Sequence, residues 1–76
     1  MKARTLTDLA RARQLATNGD GKRIRKQAGL SGAEVARGID ISTSTLWRWE
    51  AGQRAPHGPA ALRWVALLDQ LQRIAS

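Results

Sequence analysis

The sequence predicts an all-α fold, a small bundle of helices without strands. Apolar residues recur every three or four positions within several segments, which is the spacing of one helix face. Residues that favour helix starts alternate with glycine and proline clusters that end helices. A length of 76 residues suits one core, so we expect a single domain over residues 1–76. Five helices are predicted, near residues 5–17, 20–28, 31–38, 42–50 and 59–74.

The first predicted helix carries a narrow apolar stripe and is expected to be capped by Thr5 or Thr7. The stripe suits close packing on another helix and consists of Leu6, Leu9, Ala10, Ala12 and Ala16. Its arginines are interpreted as a solvated face in preference to a DNA surface; they are Arg4, Arg11 and Arg13. A turn cluster at 18–21 follows, with Asp20 as the expected cap of the second helix and Gly29 as its C-terminal glycine.

The third and fourth helices are short and are joined by a tight turn. Ser31 and Glu34 have the spacing of a capping box, and Ser42 can cap the fourth helix. Leu46 and Trp49 should face the core. The outward face carries no acid, as a helix in a DNA major groove requires, and consists of Thr43, Ser44, Trp47 and Arg48.

The last predicted helix begins at Pro59 and has an apolar face that covers about half of its circumference. A face this broad needs two partners. One edge, with Ala61, Val65 and Leu68, should contact the preceding helices. The other edge must cover the first helix, or a second subunit in a homodimer, or some of each; it consists of Trp64, Leu67, Leu71 and Ile74.

Composition limits the function. The net charge of +7 implies an anionic partner, and nucleic acid is the first candidate. The chain has no cysteine and one histidine, His57, so we expect neither a metal site nor a cofactor. No catalytic set of residues can be assembled, so an enzyme is not expected, nor is a small-molecule ligand. No apolar run spans a membrane and no signal peptide is evident, which favours the cytoplasm.

A set of residues between Ile24 and Leu68 resembles one known family. In order along the chain these residues are Arg25, Gly29-Leu30-Ser31, Val35-Ala36, Ile41-Ser42, Trp49-Glu50-Ala51-Gly52 and Pro56. The stretch resembles the helix-turn-helix of the Cro/repressor class, the XRE family of bacterial and phage regulators. The resemblance implies a lambda-repressor-like fold with a family core near residues 20–68. Gly32 and Ala51 depart from the family pattern, so a phosphate contact at Ala51 would have to come from backbone N–H.

The resemblance also implies site residues. Base reading would fall to Thr43, Ser44 and Arg48, and contacts to the DNA backbone to Ser42, Gln53, Arg54 and Arg25. Arg25 would also pair with Glu50. Trp47 stands where the family usually has a polar residue; either it contacts the DNA backbone, or the first helix or a neighbouring molecule in a crystal covers it.

The predicted function is a sequence-specific regulator of transcription that binds double-stranded DNA, a Cro-like repressor. It would act in the bacterial cytoplasm, on the nucleoid when bound. Because a scaffold alone does not fix function, two alternatives remain open. One is a protein-interaction module such as an antitoxin or anti-repressor, and the other is an excisionase-type protein that bends DNA.

Overall fold

The computed structural model describes residues 2–75, apart from the side chain of Ala75. This part of the chain forms five α-helices and no strand, which confirms the predicted fold. The helices are α1 (Ala3–Thr17), α2 (Asp20–Gln27), α3 (Gly32–Gly38), α4 (Thr43–Glu50) and α5 (Gly58–Ala75). None of them is both long and apolar enough to cross a membrane.

Both expected caps at the N-terminal end of the chain are wrong. Helix α1 begins at Ala3, and the hydroxyl of Thr7 donates to the Ala3 carbonyl at 3.0 Å instead of capping an amide. No residue before Thr5 breaks a helix, so the helix extends further toward the N-terminus than the threonines suggest. Asp20 is the first residue of α2, and its amide donates to the side chain of Asn18 at 2.9 Å. Asp20 therefore places a carboxylate in the first turn, where the helix dipole favours it.

The predicted boundaries of α2, α3 and α4 follow from local hydrogen bonds that the structure confirms. Gly29, at φ 77°, ends α2, and the amides of Gly29 and Leu30 donate back into its last turn. Ser31 and Glu34 form the capping box of α3, and the Ser31 amide lowers the pKa of the Glu34 carboxyl. The Ser42 hydroxyl caps α4 by accepting from the Thr45 amide at 3.1 Å.

A two-tryptophan contact lies at the centre of the core. The rings of Trp49 and Trp64 are 5.3 Å apart and tilted by 52°, and both side chains are fully buried. Gly21 lets α2 approach α5 closely, because a Cβ at this position would lie 2.5 Å from Cζ2 of Trp64. The core thus joins α2, α4 and the long helix α5.

Helix α1 packs on α5 and also touches α2 and α4. Its buried residues are Ala12, Leu15 and Ala16, whereas Leu6 and Ala10, both expected in the stripe, are exposed. Leu15, which the predicted stripe did not include, is buried instead. Arg11 connects α1 to α5 through a bidentate ion pair with Asp69. This pair lowers the pKa of the Asp69 carboxyl.

Most of the second apolar edge of α5 is buried or half-buried within the single chain. Trp64 and Leu71 are buried, Leu67 is half-buried, and Ile74 is 78% exposed. Of the residues expected to serve a dimer, only Ile74 and part of Leu67 remain at the surface of the single chain.

Candidate nucleic-acid interface

The helix α4 separates an apolar inner face from a polar outer face. Leu46 and Trp49 are buried, as predicted from their spacing. Ser44, Trp47 and Arg48 are exposed, and Thr43 is half-buried. The sequence-predicted base-reading residues therefore lie on one side of one helix, within its first two turns. This placement suits a helix in a major groove, because the side chains near the N-terminal end of such a helix contact the base edges.

The acid on α4 is neutralised and turned inward. Glu50 accepts from Nε of Arg25 at 2.7 Å and from Nη2 at 2.9 Å, and the two side chains are only 5% and 10% exposed. Nη1 of Arg25 donates to the Leu30 carbonyl at 2.9 Å. The hydrogen bonds to Glu50 raise the pKa of Arg25, so the guanidinium stays charged. The structure places the predicted pair as expected, and the outer face of α4 keeps no exposed carboxylate.

Trp47 is not covered by the first helix. Its side chain is 60% exposed and lies against the start of α3, where a Cβ on Gly32 would be 3.0 Å from the indole Nε1. Gly32 and Trp47 are thus neighbours in space. Gly32 leaves room for the indole, and the indole N–H stays near the surface beside α3. This contact joins two helices and has no signal in the sequence spacing.

In the loop after α4, side chains are available to contact a partner, whereas most backbone amides are already hydrogen-bonded within the chain. Gly52 adopts φ 71°, and the amides of residues 51–54 all donate to carbonyls of α4. These amides, which would have to make any phosphate contact at Ala51, are already hydrogen-bonded to the end of the helix. Gln53 and Arg54 are exposed, and they remain the available donors. Ser42 is exposed as well, although its hydroxyl also contacts the Thr45 hydroxyl at 2.8 Å.

The turn between α3 and α4 is hydrogen-bonded to α5. Asp40 takes a left-handed conformation, φ 59°, and Ile39 is buried beneath it. Nε of Arg63 on α5 donates to the Ile39 carbonyl at 3.1 Å. This bond attaches the turn to α5, and sequence reasoning missed it because the two residues lie 24 positions apart in the chain.

The charge balance of the described residues favours an anionic partner at this face. Four of the carboxylates are ion-paired with arginines: Asp8, Asp20, Glu50 and Asp69. Arg48 and Arg54 have no carboxylate within ion-pair distance. Over residues 2–75, no three His, Cys, Asp or Glu side chains come together as a metal site would require.

A helix-turn-helix domain model matches residues 22–73, which include most of α2, all of α3 and α4, and most of α5. Helix α1 lies outside the match. No curated protein and no solved structure matches the chain at a significant level. Helix-turn-helix domains are typical of proteins that bind DNA and catalyse no reaction. Since the match covers more than half of its length, the chain belongs to the helix-turn-helix domain family.

Proposed function

We propose that this protein is a sequence-specific regulator of transcription, a Cro-like repressor of the XRE class that acts on double-stranded DNA in the bacterial cytoplasm. The observation that carries the proposal is the outer face of α4. Its exposed residues are neutral or basic, and its one acid, Glu50, is held in an inward ion pair. A protein-interaction surface would tolerate acids there, whereas a helix between two phosphate backbones would not.

Arg48 is the main base-reading residue in this proposal. Its guanidinium can donate two parallel hydrogen bonds to O6 and N7 of a guanine, a contact worth about 1–3 kcal/mol of discrimination. Thr43 and Ser44 carry short hydroxyl groups that both donate and accept, so they give weaker preferences. The operator should therefore contain a guanine at a fixed place in each half-site.

The DNA backbone contacts are assigned to residues around this helix. Ser42, Trp47, Gln53 and Arg54 are exposed at its two ends and on its flank. Arg25 has two guanidinium N–H groups left after its bonds to Glu50 and Leu30, but it is only 8% exposed. Its contribution is accordingly the placement of α4, with at most a secondary contact to phosphate.

A binding selection on randomised duplexes tests the readout. Wild type should select a motif, and Arg48→Ala should lose the preference at one G·C position. Arg4→Ala is the matched control, because it removes the same charge from a side chain that is 92% exposed on α1. If Arg48→Ala weakens all sequences equally and leaves the motif unchanged, Arg48 is a phosphate contact. A wild type that selects no motif would point to an antitoxin or anti-repressor, and a selected motif bound with strong bending to an excisionase-type protein.

Dimerisation through α5 is a separate part of the proposal. It would rest on Leu67 and Ile74, because Trp64 and Leu71 are buried within the chain. A dimer would place two recognition helices roughly 34 Å apart on a palindromic site. Sedimentation on and off operator DNA tests this with Ile74→Glu, a substitution at an exposed position. We expect Ile74→Glu to dissociate a dimer without unfolding it, and a wild type that stays monomeric on its operator would exclude one.

A further inference from the structure

The C-terminal end of α1 lies directly beside the loop that follows the recognition helix. A Cβ placed on Gly52 would be 3.8 Å from the Ala16 carbonyl oxygen and 3.9 Å from Cα of Thr17. Gln53 and Arg54, the exposed side chains of that loop, follow Gly52 immediately. The last turn of α1 therefore adjoins a segment assigned to the DNA backbone, although α1 itself lies outside the helix-turn-helix match.

The arginines of α1 fall into two groups. Arg4 pairs with Asp8, and Arg11 pairs with Asp69 on α5, so the charges on that side of the helix are compensated. Arg13 is exposed, and no carboxylate of the described residues 2–75 lies within ion-pair distance of it. At 100° per residue, Arg13 lies about 200° around the helix from Arg11, which places it on the opposite side. The uncompensated charge of α1 is thus separate from the α5 contact.

Arg13 lies on the same edge of α1 as Thr17, the residue that approaches Gly52 of the loop. Thr17 is one turn later in the helix, and its hydroxyl donates to the Arg13 carbonyl. Both side chains are exposed. The acidic residue of α1, Asp8, lies outside the stretch from Arg13 to Thr17 and is ion-paired with Arg4. Arg13 and Arg54 accordingly flank the Thr17–Gly52 contact as two uncompensated cations on adjoining segments.

We propose that the Arg13–Thr17 edge of α1 is an additional contact surface for the DNA backbone, continuous with the loop that carries Gln53 and Arg54. The proposal rests on the DNA-binding function proposed above. Its chemistry is that of an arginine and a hydroxyl beside a phosphate, which give affinity without reading bases. The added helix thereby widens the footprint of the domain along one strand past the part that the family model covers.

The salt dependence of DNA binding tests this surface. Each phosphate contact contributes about 0.9 to the slope of log K against log salt concentration on duplex DNA. Arg13→Ala should make the slope shallower by about that amount on a selected operator and on an unrelated duplex alike, and Arg13→Lys should restore it. Arg4→Ala is the control, because it removes one charge from the same helix on the compensated side. An unchanged slope in Arg13→Ala, or an equal loss in Arg4→Ala, would overturn the proposal.

Ethylation of single phosphates locates the contact. A phosphate whose ethylation blocks wild type but not Arg13→Ala should lie next to the one identified in the same way with Arg54→Ala. If Arg13→Ala loses no ethylation-sensitive phosphate, or loses one on the far side of the site, the Arg13–Thr17 edge does not contact the DNA backbone beside the loop. If the wild type binds DNA without sequence preference, the proposed sequence-specific regulator is refuted, but the contact made by Arg13 can still be measured. If the wild type binds no DNA, both the proposed function and the proposed contact surface are refuted.

Discussion

Replacing Glu50 or Arg25 with alanine should destabilise the domain far more than the same changes in its other bidentate arginine–carboxylate pair. In the Arg25–Glu50 pair the side chains are 10% and 5% exposed. In the Arg11–Asp69 pair they are 41% and 32% exposed. Loss of one partner from a buried pair leaves an uncompensated charge and costs about 3–5 kcal/mol, whereas an exposed pair is worth about 0.2–1 kcal/mol.

The larger cost is a substantial part of the total stability. A domain of this length is expected to have a free energy of unfolding of about 4–11 kcal/mol. One kcal/mol shifts the melting temperature of so small a domain by about 4–8 °C, so Glu50→Ala should lower it by at least about 12 °C. Arg11→Ala and Asp69→Ala should shift it by no more than about 8 °C. Denaturation in urea at low temperature, followed by circular dichroism, keeps the destabilised variants measurable.

A double-mutant cycle isolates the interaction itself. The double alanine variant should be more stable than the sum of the single losses predicts, because it leaves neither charge buried alone. The single variants should also weaken DNA binding, since Arg25 holds the end of α4 through Glu50 and Leu30. Small and additive effects, equal to those at Arg11 and Asp69, would refute the reasoning that burial decides the value of the pair.

Two further predictions concern packing and pH. Gly21→Ala should destabilise the domain by about 1–3 kcal/mol, because the new methyl group would overlap the ring of Trp64. Gly38→Ala, where a Cβ meets nothing within 4 Å, should stabilise it by about 0.5–1 kcal/mol; a loss of equal size in both variants by urea unfolding would contradict the packing argument. Arg11 lowers the pKa of the folded-state Asp69 carboxyl, so its stabilising contribution is present above the unfolded pKa of about 3.9 and is lost as pH falls through the lower folded value. The stability difference between wild type and Asp69→Asn should therefore shrink below about pH 3.9, and a difference that stays constant from pH 6 to pH 2 would contradict this.

The features that the sequence predicts well are those encoded over a few residues. The Ser31–Glu34 capping box, the Ser42 cap and the Gly29 helix end depend on atoms within one turn, and all appear as expected. The caps at Thr5 or Thr7 and at Asp20 fail because several residues there could serve and only the position of the helix start decides among them.

Features that depend on packing between distant segments were not predictable from the residue pattern, and the Arg25–Glu50 pair was expected only through the family resemblance. An apolar stripe of small residues does not fix helix rotation, so Leu15 rather than Leu6 enters the core. The Arg11–Asp69 ion pair, which connects α1 to α5, joins residues 58 positions apart. The contact between Gly32 and Trp47 likewise needs the angle between two helices. For the outer face of α4, sequence order suffices, because its residues belong to one helix.

The three tryptophans make the chain its own optical probe. The sequence contains no tyrosine, so tryptophan alone would dominate its ultraviolet fluorescence. Trp49 and Trp64 are buried side by side, and their emission should report loss of the core on unfolding. Trp47 is exposed beside the candidate DNA surface, so a water-soluble quencher should reach it selectively, and bound DNA should shield it. Trp47→Phe separates the two signals, which lets folding and binding be followed in one unlabelled sample.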